Sequence, residues 1–105
     1  MKILPQNYPI EKLKKEILTV IGKYLDLNKY KIFFFGSRVS GKGDDRSDID
    51  VGILGPEKVP FEILAKIKSE ISEIKTLYKI DVVDFDRVSE NFKKVALQNI
   101  EYIYE

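Results

Sequence analysis

Hydrophobic and polar positions change period several times along the chain, and the changes mark its elements. From Ile10 to Asp26 the apolar residues fall at Ile10, Leu13, Ile17, Val20, Ile21 and Tyr24, the three-and-four spacing of one helical face. Glu11, Lys12, Lys15 and Lys23 lie opposite, as an ordinary solvated face. Before this helix, Met1 to Pro9 carries two prolines and enters as an extended arm. The run Ile32 to Phe35 is too short for a helix and rich in residues that fit a pleated surface, so Tyr30 to Phe35 is a buried strand. In Asp48 to Leu54 the period is two: Ile49, Val51 and Ile53 share one face, and Asp48, Asp50 and Gly52 the other.

Gly55 and Pro56 then stop the sheet, and Pro60 suits the first turn of a helix. Leu64, Ile67, Ile71, Ile74 and Tyr78 give that helix an apolar face, with Lys66, Glu70, Glu73 and Lys75 outside. Lys79 to Phe85, KIDVVDF, is a third strand. Ser89 caps a short helix through Phe92, Val95 and Ala96, and Glu101 to Tyr104 closes the chain as an edge strand in which Tyr102 and Tyr104 pack. These elements predict an α/β (α+β) sandwich, a mixed sheet of three to four strands with helices mainly on one face, and not a doubly wound sheet.

Composition narrows the chemistry. The 105 residues are 44% hydrophobic, enough for one core, so residues 1–105 are expected to form a single domain. Lys and Arg total 18 against 17 acidic residues, and this balance gives no basic surface for direct DNA or RNA binding. Cysteine and histidine are absent, which excludes thiolate and imidazole chemistry and leaves oxygen as the ligand for any metal. No apolar run is long enough to span a bilayer, so a soluble, cytoplasmic protein with no membrane partner is the expectation.

The specific chemistry lies between Lys31 and Leu54. Gly36 ends the first strand, and Ser37 can cap a single helical turn over Arg38 to Gly41. Such a start presents unpaired N–H groups and a partial positive charge to a phosphate, which Gly36 allows close to the backbone. Lys42 to Ser47 leads back to the second strand, where Asp48 and Asp50 lie on one face with Cβ atoms about 6–7 Å apart. Two such carboxylates repel unless a cation sits between them, and hard oxygen donors select Mg²⁺ or Mn²⁺.

The third strand offers two further acids. Asp81 and Asp84 are three apart, hence on opposite faces, and parity alone does not choose between them. If Asp81 joins the site, Ile80 and Val82 face the core; if Asp84 does, Asp81 is left on the core side with Val83 and Phe85, an awkward place for a charge. Asp81 is therefore preferred, with Asp84 and Asp86 solvated at the strand end.

Gly36, Ser37, ten residues, Asp48, one residue, Asp50, followed by an apolar strand, resembles the signature of the DNA polymerase β-like nucleotidyltransferases. The short chain is most similar to the minimal nucleotidyltransferase (MNT) family, whose members include antitoxins encoded beside HEPN-domain toxins. The resemblance implies an Mg²⁺-dependent enzyme that transfers AMP from ATP to a hydroxyl. Asp48, Asp50 and Asp81 would be its catalytic residues and the ligands of two Mg²⁺ ions. Gly36, Ser37, Arg38 and Ser47 would bind the nucleotide, Ser47 as a hydrogen-bonder at the strand entry and not as a nucleophile.

Family members often carry a second basic residue where this chain has Ser40, for which Lys42 is a candidate substitute. Larger relatives also add a helical domain to hold base and acceptor, so a helical HEPN ribonuclease toxin in a hetero-oligomer is the implied partner, AMPylated and thereby silenced. Two other readings are a non-catalytic antitoxin subunit and a small-molecule transferase of the aminoglycoside type.

Overall fold

The two long amphipathic helices lay their apolar faces on the same side of one sheet. The computed structural model describes residues 10–36, 49–76 and 79–104. Within them the order is α1 (Ile10–Gly22), β1 (Lys31–Phe35), β2 (Ile49–Leu54), α2 (Phe61–Ser72), β3 (Ile80–Asp84), α3 (Glu90–Ala96) and β4 (Ile100–Tyr104). The strands form one mixed sheet in the order β3-β2-β1-β4, with β1 antiparallel to both β2 and β4 and β2 parallel to β3. The arm 1–9, the capped turn over 37–41, the return segment 42–47, Asp48 and Tyr78 lie outside the described residues.

Strand parity sorts the core as the period-two reading requires. Ile32, Phe34, Ile49, Val51, Ile53 and Val82 pack against Leu13, Ile17 and Ile21 of α1 and Leu64, Ile67 and Ile71 of α2. Each fully buried aliphatic side chain contributes about 1.5–3 kcal/mol. The helices are also joined at their polar margins, where the Glu70 carboxylate accepts from Lys23 Nζ at 2.7 Å and from the Tyr24 hydroxyl. Both helices are shorter than their apolar spacing suggests. After Gly22 the chain turns, with Asp26 Oδ1 accepting from the Asn28 amide at 2.9 Å, and α2 closes at Glu73, whose amide donates to Glu70 and Ile71 carbonyls.

The opposite face of the sheet has its own small core. Phe33, Phe35 and Phe85 are buried there in edge-on contact, with centroids of Phe85 5.0 Å from Phe33 and 4.9 Å from Phe35. Gly52 makes this possible, since a Cβ at that position would stand 2.3 Å from Phe33 Cε1 and 2.9 Å from Phe85 Cε1. The short helix α3 covers part of this face. Its cap is as expected, the Phe92 amide donating to Ser89 Oγ at 3.1 Å.

One expectation is corrected. Asp84 is not solvated at the strand end but 3% exposed on the helix side. Its Oδ2 accepts from the Val59 amide at 2.8 Å and its Oδ1 from the Asp86 amide at 2.9 Å. Arg87 Nε stands 3.3 Å from Oδ2 while its Nη2 donates to the Val59 carbonyl at 2.7 Å. Asp86 in turn accepts from the Gly55 amide at 3.0 Å. The strand ends beneath the loop that starts α2, whose backbone amides need acceptors, and these two acids provide them. No helix among the described residues is long and apolar enough to cross a membrane.

Candidate functional site

Three strand ends meet at one edge of the molecule. Because β1 runs antiparallel to β2, its last residue Phe35 pairs with Asp50; because β3 runs parallel to β2, Asp50 also pairs with Asp81. Asp50 and Asp81 thus stand side by side on the face that carries Phe33 and Phe35, away from the helix-side core. Strand spacing puts their backbones about 4.8 Å apart. Asp84 lies on the other face, and its carboxylate is committed to backbone amides.

Gly36 closes the third side. Its φ of +95° is a backbone conformation that favours glycine, and a Cβ there would lie 2.3 Å from Asp50 Oδ2. The end of β1 therefore approaches the carboxylate more closely than any side chain would allow. The remaining predicted residues, Ser37, Arg38, Ser47 and Asp48, lie outside the described residues.

Adjacent carboxylates on one face repel, and partial compensation comes from Lys79, whose Nζ is 3.8 Å from Asp81 Oδ1. Both groups are well exposed, so this pair is worth little by itself. An oxygen-only pair in a chain without histidine or cysteine suits a hard divalent cation. Among the described residues Asp50 and Asp81 are not joined by a third ligating side chain, and no cluster of three such groups is present there.

A cleft of about 750 Å³ opens from this edge. Gly36, Asp50 and Asp81 line it together with Phe35, Val82, Val83, Lys68 and, from α3, Asn91, Phe92, Val95 and Ala96. Sequence reasoning missed Lys68 and the α3 residues. Lys68 follows Leu64 by four and precedes Ile71 by three, so its place at the border of the apolar face was readable, though not that the border meets β3. The sequence places Phe92 and Val95 only on a short helix; in the structure they are 44% and 66% exposed. Only the placement of α3 reveals that they face a cleft.

The chain matches the family model described as polymerase beta nucleotidyltransferase over residues 15–105. Among curated proteins, the probable protein adenylyltransferase MntA of Haemophilus influenzae is 31% identical over 85 residues, which cover 79% of this chain and 75% of that protein. A solved toxin–antitoxin structure with AMP-PNP superposes with a TM-score of 0.69 at 17% identity, covering 87% of this chain and 72% of the other. A tri-AMPylated Shewanella oneidensis HEPN toxin in complex with MNT antitoxin gives a TM-score of 0.67 at 14% identity, covering 90% and 72%. At these identities the solved structures speak to the fold, and the sequence matches to the family.

Proposed function

The chain belongs to the polymerase beta nucleotidyltransferase family, and from that premise we propose that it transfers AMP from ATP to a hydroxyl of a helical HEPN-type ribonuclease, acting as the antitoxin of that toxin. The observation that carries this reading is the register of Asp50 with Asp81 beside Gly36, on a face turned away from the helix-side core. The relatives supply the acceptor class: one is named a probable protein adenylyltransferase, and another is an MNT antitoxin in complex with an AMPylated HEPN toxin.

Asp50 and Asp81, together with Asp48 two residues before Asp50 in the sequence, are the residues that would hold Mg²⁺. When bound, the metal supplies charge stabilisation at the phosphoryl oxygens and lowers the pKa of the attacking hydroxyl. In the reaction the acceptor oxygen forms a bond to the α-phosphorus of ATP, the bond from that phosphorus to the bridging oxygen breaks, and pyrophosphate leaves. The hydroxyl proton passes to a carboxylate, for which Asp81 is the candidate. Gly36 gives the triphosphate access to backbone N–H groups, and Ser37, Arg38 and Ser47 complete its binding, Arg38 opposing the charge that builds on the leaving pyrophosphate.

The test is intact-mass measurement of a helical HEPN-type protein co-expressed with this chain and incubated with ATP and Mg²⁺. Addition of AMP to the partner is the expected result. A tight complex in which neither protein gains mass would instead make the chain a binding antitoxin without transfer.

A further inference from the structure

The face of α3 that looks into the cleft is apolar and exposed, which is unusual for a helix that covers a core. Phe92 is anchored on one side, its ring centroid 6.2 Å from Phe35 and 5.8 Å from Phe85, and yet remains 44% exposed. Val95, one helical turn on, is 66% exposed. Both line the same cleft as Gly36, Asp50 and Asp81, with Val83 of β3 contributing from the sheet and Asn91 beside Phe92.

The direction of α3 orders these residues along the cleft. β3 leaves the carboxylate end of the sheet, and Ile100, four residues after Ala96, is back at that end, paired with Phe35. The helix therefore runs back toward the carboxylate end, with Asn91 and Phe92 in its first turn and Val95 in its last. An extended ligand with its phosphates at Gly36 and Asp50 would meet an aliphatic group, then an aromatic ring, then a side-chain amide. That sequence of surfaces fits a nucleobase: an aromatic ring stacks on any base, and an asparagine amide pairs in bidentate fashion with adenine. A cleft of about 750 Å³ is also within the size range of small-molecule sites.

We propose that Asn91, Phe92 and Val95 of α3 form the base subsite of the nucleotide, with Phe92 and Val95 holding the ring and Asn91 selecting adenine. The inference rests on the nucleotidyltransferase reading of the carboxylate end. It makes this chain, and not only its partner, a determinant of base preference.

The test is calorimetric binding of ATP, GTP and inorganic tripolyphosphate, each with Mg²⁺, to the wild type, Asn91→Ala, Val95→Ala and Phe92→Leu. Asn91 and Val95 are exposed, so their variants fold even if a change at Phe92 disturbs the aromatic cluster. The expected result is an ATP Kd raised about tenfold by Val95→Ala or Phe92→Leu, unchanged tripolyphosphate binding in all three, and loss of the preference for ATP over GTP in Asn91→Ala. Equal weakening of ATP and tripolyphosphate, or no change in either, overturns the base subsite while leaving the phosphate end intact. A wild type that binds neither ligand overturns the nucleotide reading itself.

Discussion

Two aspartates of one strand, three residues apart, are predicted to respond in opposite ways to substitution. Asp84 is buried and accepts from two backbone amides, so Asp84→Ala strands the Val59 amide and removes the partner of Arg87. A loss of about 3 kcal/mol in urea unfolding is expected. Asp81 is 41% exposed in its side chain and faces Asp50. Asp81→Asn should leave stability within about 0.5 kcal/mol, since it relieves repulsion as it gives up a weak pair with Lys79, while lowering AMP transfer at least ~100-fold. Gly36→Ala is the third case at this scale. The positive φ costs about 1–2 kcal/mol, and the Cβ would displace the Asp50 carboxylate, so urea unfolding and transfer assays should both register the change.

At the scale of elements, the joins are as informative as the cores. Glu70 of α2 is held below its ordinary pKa of 4.5, first by the hydrogen bond from Lys23 and then by that from Tyr24 of the segment after α1. A carboxyl with a lowered folded pKa adds stability that is fully present above 4.5 and is lost as the pH falls through the lowered value. Glu70→Gln should therefore flatten the acid side of the stability profile, measured as urea midpoints from neutral pH downward. At α3, Ser89→Ala removes the only side-chain cap of a seven-residue helix and should cost about 1 kcal/mol.

The elements themselves were largely legible, because period two in Ile49, Val51 and Ile53 and period 3.6 in Leu64, Ile67 and Ile71 are imposed by a single buried face. What was not legible came from tertiary placement. Asp84 looks like any strand-end acid until the loop at Val59 is laid over it, and that Phe92 and Val95 face a cleft is visible only once α3 is set at the rim of the smaller core. A local pattern reports which residues share a face, but not what that face meets.

For the molecule as a whole, the candidate site is a product of topology. An antiparallel neighbour brings the Gly36 end of β1 to Asp50, and a parallel neighbour brings Asp81 to its other side. The spacing of Gly36, Asp48 and Asp50 was readable in one continuous stretch, whereas Asp81 came from a strand some thirty residues on and had to be chosen by a core argument. The cleft that continues under α3 joins this end to an apolar surface, so the candidate site has both a charged and an apolar end.

The most direct test of the proposed transfer is movement of label from ATP labelled at its α-phosphate to a co-expressed helical HEPN-type protein, comparing the wild type with Asp50→Asn, Asp81→Asn and Asp84→Asn at matched concentrations of folded protein. Label is expected to move with the wild type, to be lost with the Asp50 and Asp81 variants, and to persist in the fraction of the Asp84 variant that remains folded. Transfer at the wild-type rate by folded Asp50→Asn and Asp81→Asn proteins would contradict that expectation.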